Sequence, residues 1–332
     1  MTPATAAAVT VDVPAKTNLV LRVGRTHPEW GGRHALDTIY CGVGVTDTVT
    51  VTRKTPGAGF SLDMAGRHLG DLATGSAGAA DMRRNHAVRA LYALAEASGN
   101  EPDVAITLSK RIPVGAGLGG GSADAAGTLL ALNELWGLRW PIERLEPVAA
   151  GLGADMPFCL RGGFAHGSGF GQIIEPLDAD DEQIARLRAR GLTGRMLIGA
   201  YADELHTPDV YRRFDELGAD PEHVNDLQRA ALDLHPRSAL AIETALAAGA
   251  TMAFVSGSGP SVVACAPGDE VRRTIERDWR QTGAVDRVIA ADAPARPAMR
   301  VISVTGAAGV RAMDGRRTAS PSRTTSPVSL NR

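Results

Sequence analysis

Four short runs near the start of the chain are rich in apolar and β-branched residues: Thr10–Val13, Leu19–Val23, Thr38–Val43 and Thr48–Arg53. Each predicts a strand. Residues 1–10 ahead of them are expected to be a loose N-terminal tail, and the glycine-rich stretch at 56–80 is expected to loop. The apolar spacing then switches to a helical period from Asn85 to Ser98, with Gly99-Asn100 as the stop. A strand at 104–109 follows, then a run of glycines, then Leu129, Leu130, Leu132, Leu135 and Trp136 at near-helical spacing. Past Pro141 a short helix runs to Leu152 and ends at Gly153, and Phe164–His166 with Gln172–Glu175 read as hairpin arms.

Asp178 to Gln183 is acidic and polar, a natural junction. It divides the chain into an N-terminal domain at 11–177 and a C-terminal domain at 178–312. In the second, strands at Met196–Ala200, Thr251–Val255, Ser261–Cys265 and Arg287–Ala291 alternate with helices near 208–217, 225–234, 237–248 and 269–281. Residues 313–332 carry Ser, Thr, Pro and Arg without periodicity and are expected to be a disordered tail. The fold class this predicts is α/β, an α+β chain of two domains.

Composition narrows the setting. The 332 residues are 44% hydrophobic, enough for two real cores, and the formal charge of −2 offers no bulk attraction to nucleic acid. No run of about 18 apolar residues exists to span a membrane. Cys41, Cys159 and Cys265 are scattered, without disulfide or metal spacing, which fits a reducing cytoplasmic setting. Basic residues are almost all Arg; the only lysines are Lys16, Lys54 and Lys110, so a lysine in a suggestive place draws notice.

The strongest chemical signal is Pro113-Val114-Gly115-Ala116-Gly117-Leu118-Gly119-Gly120-Gly121-Ser122-Ala123, feeding directly into the Leu-rich helix. Glycines let backbone approach a ligand, and a helix N-terminus aims unpaired N–H groups and a positive dipole end at one point. That is an anion site, and phosphate is the usual anion. Gly115-x-Gly117-x-x-Gly120 satisfies the dinucleotide string, but Lys110-Arg111-Ile112-Pro113 intervenes after the strand and no acidic strand end follows at the required distance. The Walker pattern fails too, since Gly121-Ser122 stands where its Lys is required. What remains is a phosphate loop of another kind, with Ser122 placed to touch phosphate or Mg²⁺.

Phosphoryl transfer needs phosphates held, charge neutralised and a hydroxyl aligned. Lys16 and Asp155 are the candidates for the last two. Asp155 sits between Gly153-Ala154 and Met156-Pro157-Phe158-Cys159, where a carboxylate is costly unless paired. Its competing reading is a helix cap, and that of Lys16 is a surface lysine. His34, in a glycine loop, is either a ligand contact or simply solvated. Ser256-Gly257-Ser258-Gly259-Pro260 is either a plain hairpin turn or a second loop closing on substrate.

Three segments taken together, Pro14-Ala15-Lys16-Thr17-Asn18-Leu19, Pro113 to Ala123 and Ser256 to Ser261, resemble the GHMP small-molecule kinases in order and spacing. Within them the chain is most similar to the branch that acts on a cytidylylated methylerythritol in non-mevalonate isoprenoid synthesis. Gly153–Phe158 and Asn225-Asp226-Leu227 resemble further segments of that branch. The resemblance, over about residues 11–305, implies an N-terminal domain like the second domain of ribosomal protein S5 and a ferredoxin-like C-terminal domain, with the site in the cleft. It implies an ATP- and Mg²⁺-dependent phosphotransferase with an alcohol acceptor. Lys16 and Asp155 would be its catalytic pair and 113–123 its ATP loop. Asn18, His34, Thr207 and Tyr211 would contact the substrate, Asn18 at the methylerythritol and the other three around cytosine. The partners implied are this small molecule and ATP, with no nucleic acid and no membrane, and at most a weak homodimer. Two positions depart from the pattern: Arg33 replaces the usual aromatic before His34, and Asn85-His86 replaces Asn-Leu or Asn-Ile.

Three other readings compete. They are a related kinase for another alcohol, a catalytically silent nucleotide-binding relative, and, on the dinucleotide string alone, an oxidoreductase.

Overall fold

A computed structural model describes residues 6–66, 82 and 84–303. The first half is built on one long hairpin, β1 (Ala6–His27) and β2 (Arg33–Arg53), joined through a single turn of 3₁₀ helix at Pro28–Trp30. Each strand therefore runs through what the pattern divided into two. Val13-Pro14-Ala15-Lys16-Thr17-Asn18, expected to link two strands, is strand throughout, and its register shifts at Pro14/Ala15 and again at Asn18/Val20. Bulges of this kind absorb a proline and re-aim side chains without ending the ladder. Residues 6–10, expected to be loose, belong to β1 as well.

Across the hairpin lie β3 (Ser61–Gly66), which falls inside the stretch expected to loop, and β4 (Val104–Lys110). The sheet order is β11 (Ala298–Ser303), β1, β2, β4, β3, with β5 (Phe164–Ser168) on the other half of β2 and β6 (Ile173–Leu177) beside it. Four helices cover one face: α1 (His86–Ser98), α2 (Gly120–Leu135), α3 (Ile142–Leu152) and α4 (Met156–Arg161). Asn85 starts α1 by accepting a hydrogen bond from the Ala87 N–H, and Gly99 ends it in the left-handed conformation. α2 packs on β1 and β2 on one side and on α1 and α4 on the others. Its run Ala123–Leu129 is buried all round, with its two polar side chains hydrogen-bonded, Asp124 to Lys110 and Thr128 to the Asp124 carbonyl.

The second half alternates α5 (Glu182–Ala189), β7 (Gly194–Ala200), α6 (Thr207–Leu217), α7 (Gln228–Leu234), α8 (Arg237–Ala247), β8 (Met252–Val255), β9 (Val262–Ala266), α9 (Asp269–Thr282) and β10 (Arg287–Ala293). Its four strands form an antiparallel sheet in the order β10-β7-β9-β8, so the expected mixed α/β fold with two sheets is present. The chain then crosses back: β11 (Ala298–Ser303) pairs antiparallel with β1 in the first sheet. Sequence division at 177/178 had grouped that strand with the second half. The expected tail at 313–332 and the greater part of the 56–80 stretch lie outside the described residues.

Candidate active site

The glycine run occupies the turn between β4 and α2. Gly119 caps the helix with φ +71°, a conformation open to glycine, and the first-turn N–H groups from Gly120 onward have no intrahelical acceptor. A side chain on Gly119 would collide with Lys16, whose Cγ lies 2.8 Å from the position of a Cβ there. The Lys16 backbone N–H donates to the Leu118 carbonyl at 2.9 Å, so the bulged centre of β1 is fastened directly to the loop.

Lys16 Nζ stands 3.1 Å from Asp155 Oδ2 and donates to Asn18 Oδ1 at 3.0 Å. Asn18 Nδ2 in turn donates to Thr38 Oγ1 at 2.7 Å, and Thr38 Oγ1 donates to the Val20 carbonyl. Asp155 does stand at the N-cap position of α4, but its side chain makes no capping hydrogen bond. Its other oxygen accepts from the Tyr40 hydroxyl at 3.0 Å. Of the pair, Lys16 is buried and Asp155 is 30% exposed, so the carboxylate is the member a ligand can reach.

The base of the loop carries a second lysine. Lys110, the last residue of β4, donates its ammonium to Asp47 and, at 2.5 Å, to Oδ2 of Asp124, the fifth residue of α2. Asp47 Oδ1 accepts from the backbone N–H groups of Arg111 and Ile112 at 2.6 and 2.9 Å. All three side chains are buried. The chain enters the loop at Lys110 and leaves it at Gly120–Asp124, and this cluster ties the two ends together. Burial, with Asp47 adding to it, pushes the Asp124 carboxyl up to about 7 against the opposing pull of Lys110.

One cavity of about 850 Å³ takes in the loop, the Lys16–Asp155 pair and the facing wall of the second half. Pro113, Val114, Gly115, Ala116, Gly117, Gly119, Gly120, Gly121 and Ser122 line it, whereas Leu118 and Ala123 are buried behind as core. Asn18, His34, Thr207 and Tyr211 also line it, so the cavity gathers both members of the Lys16–Asp155 pair and all four residues expected to contact the substrate. His34 stacks on Tyr211 with ring centroids 5.2 Å apart. Its Nδ1–H donates to the Gly24 carbonyl at 2.9 Å, which leaves Nε2 facing Asp215 at 3.2 Å. Arg33, in place of an aromatic, lays its guanidinium over the Phe170 ring at 4.5 Å. Thr207 Oγ1 lies 3.0 Å from Ser258 Oγ, so the 256–260 turn belongs to the cavity wall.

Sequence reasoning missed Tyr40, Phe170 and the Lys110 cluster. Tyr40 looks like any strand aromatic until its register beside Asn18 is known. The scarcity of lysine was the one available signal for Lys110. Among the described residues no group of three His, Cys, Asp or Glu could hold a metal, and no helix is long and apolar enough to cross a membrane.

The family model for the GHMP kinases N terminal domain matches residues 85–163, and that for the GHMP kinases C terminal domain matches 208–285. A 4-diphosphocytidyl-2-C-methyl-D-erythritol kinase of Bifidobacterium adolescentis is 62% identical over 298 residues, covering 90% of this chain and 96% of its own. One of Streptomyces coelicolor is 38% identical over 280 residues, covering 76% of this chain and 86% of its own. A crystal structure of 4-(cytidine 5'-diphospho)-2C-methyl-D-erythritol kinase superposes with a TM-score of 0.63 at 28% identity, covering 86% of this chain and 99% of the other. A homoserine kinase structure from Cytophaga hutchinsonii, 18% identical with a TM-score of 0.64, covers 88% of this chain and 97% of its own and shares the fold.

Proposed function

We propose that this chain, which belongs to the GHMP kinases, transfers the γ-phosphoryl group of ATP to the 2-hydroxyl of 4-diphosphocytidyl-2-C-methyl-D-erythritol. The reading draws on relatives of that name at 58–62% identity over most of the chain. The observation that carries it is the 3.1 Å Lys16–Asp155 contact opening into the same cavity as the bare N-terminus of α2.

Glycine-loop amides and the positive end of α2 hold the triphosphate, and the acceptor hydroxyl lies against Asp155. As the alcohol oxygen bonds to the γ-phosphorus and the bond to the β–γ bridging oxygen breaks, the hydroxyl proton passes to the exposed carboxylate of Asp155. A base so placed contributes about 10²–10⁴-fold. Lys16 steadies that carboxylate and offsets charge gathering on the transferred group, and Tyr40 fixes the carboxylate's other oxygen. The His34–Tyr211 stack with Thr207 receives the cytosine, and Arg33 on Phe170 forms the opposite rim as a guanidinium in place of a ring. A lone hydroxyl at Ser122, with no acidic cage beside it, suits a Mg²⁺ ion carried mainly by the nucleotide's own phosphates. Such an ion would neutralise phosphate charge. The setting that fits this substrate is cytoplasmic.

The test is incubation of the protein with ATP, Mg²⁺ and the cytidylylated methylerythritol, with mass detection of the product. A gain of one phosphate on the alcohol is expected. Turnover only with a sugar or mevalonate-type alcohol overturns the substrate, and no ATP consumption with any alcohol overturns the kinase.

A further inference from the structure

Two segments of the second half close on the phosphate loop. In the turn between β8 and β9, Ser256 Oγ donates to the Gly117 carbonyl at 3.2 Å. A Cβ on Gly257 would lie 3.1 Å from that same carbonyl and 3.2 Å from Lys16 Nζ. In the segment between β7 and α6, Glu204 packs against Gly115, and Thr207 reaches Ser258.

Behind both, outside the cavity lining, His235 and Ser238 sit where α7 meets α8, 7% and 0% exposed. Ser238 Oγ donates to the Pro260 carbonyl at 2.7 Å. With its one proton committed there, Ser238 accepts from His235 Nδ1–H at 2.8 Å, which fixes the tautomer. The same imidazole stands edge-on to Tyr201, ring centroids 4.4 Å apart, at the head of the β7–α6 segment. Its Nε2 has no hydrogen-bond partner and lies 3.7 Å from Asp203 Oδ2 in that segment. Burial holds the ring below the usual histidine range against the opposing pull of Asp203.

We propose that His235 and Ser238 are positioning residues for the nucleotide: Nδ1–H to Oγ–H to the Pro260 carbonyl sets the height of the 256–260 turn over Gly117, while the same ring braces the β7–α6 segment over Gly115. An ordinary core histidine would satisfy itself within one element. This one closes the corner between α7 and α8 and also reaches both segments that touch the phosphate loop, Pro260 through Ser238 Oγ and Tyr201 through ring contact. The inference rests on the reading of 113–123 as the ATP loop.

Steady-state kinetics of Ser238→Ala, His235→Ala and His235→Asn test it, with ATP and the alcohol varied separately. Both alanine variants are expected to raise the KM for ATP about tenfold, the worth of one buried hydrogen bond, and to leave the KM for the alcohol within about twofold. His235→Asn places an amide N–H near the lost Nδ1–H and is expected to recover most of the ATP affinity. A merely structural role would lower the melting midpoint in all three without sorting them by donor. Folded alanine variants with parental KM for ATP, or with both KM values rising in parallel, overturn the proposal. Should the alanine variants fail to fold, hydrogen exchange of the parent decides: ATP is expected to slow exchange at 256–261 and 235–238 together, and protection of the first alone overturns it. A parent chain that binds no ATP sinks the kinase reading and this inference with it, whereas a parent that turns over beside unaffected variants sinks this inference alone.

Discussion

Lys16 and Lys110 approach the phosphate loop from opposite sides, Lys16 along Gly119 and Lys110 beneath Gly120. Each meets aspartate: Lys16 meets Asp155, and Lys110 meets Asp47 and Asp124. The chemistry is the same and the solvent is not. Asp155 keeps 30% of its side-chain surface, while Asp47 and Asp124 keep 0% and 8%. A carboxylate that still meets water can exchange a proton with a bound alcohol. One sealed against an ammonium is fixed in place, and removing its partner strands a charge in low dielectric. Exposure, rather than residue type, divides the pair proposed to react from the cluster that braces the loop.

The strongest attack on that contrast is Asp155→Asn. Turnover is expected to fall about a thousandfold with ATP affinity little changed, read by steady-state rates beside an ATP titration. A variant with near-parental turnover would dismiss Asp155 as the base. Next is Lys110→Met, which orphans two buried carboxylates and is expected to cost about 3–5 kcal/mol in urea unfolding. Lys16→Met should by contrast lose activity at a smaller cost in stability, because the Asp155 carboxylate it leaves behind still meets water. If the two lysine variants unfold alike, the contrast collapses.

A finer probe uses the adjacent glycines. Gly119→Ala forces a Cβ into the left-handed region and onto Lys16, at about 1–2 kcal/mol, and is expected to weaken ATP binding about tenfold. Gly120→Ala, whose φ is not positive and whose Cβ meets Ile112 Cγ2 at 3.2 Å, should stay within about threefold. The last probe is a slope. Because the folded Asp124 carboxyl sits near 7 against an ordinary 3.8, the folded state holds that proton more tightly than the unfolded one. The stability it lends is full below the ordinary value and is lost as pH rises toward 7. Urea midpoints of the parent relative to Asp124→Asn should therefore fall between about pH 4 and pH 7 and level off above. A flat difference would mean that this carboxyl does not titrate in the window.

The glycine loop and α2 were legible because their signal is local: glycines, then a patterned helix, within one stretch of chain. Lys16 and Asp155 were named, but their meeting across 138 intervening positions came through family resemblance rather than periodicity. Pro14, Lys16 and Asn18 read as a link between strands because they have low strand propensity, yet the ladder to β2 carries through them on two bulges. The Lys110 cluster was hidden in the register. Thr48 pairs with Ser109, so the next rung brings Asp47 beside Lys110, and no single-chain pattern prints that alignment. Arg33 on Phe170 was foreseen as a departure, but its ring partner was not.

The pairing of Ala6 with Ser303 has a practical consequence. A nick in the turn at 178–181 would leave two fragments still stitched together along a shared sheet edge, so cutting there need not release the second half as a free unit. The same adjacency means that a few residues of linker could join positions 6 and 303, and new termini opened at that turn would yield a rearranged chain able to reach the same structure.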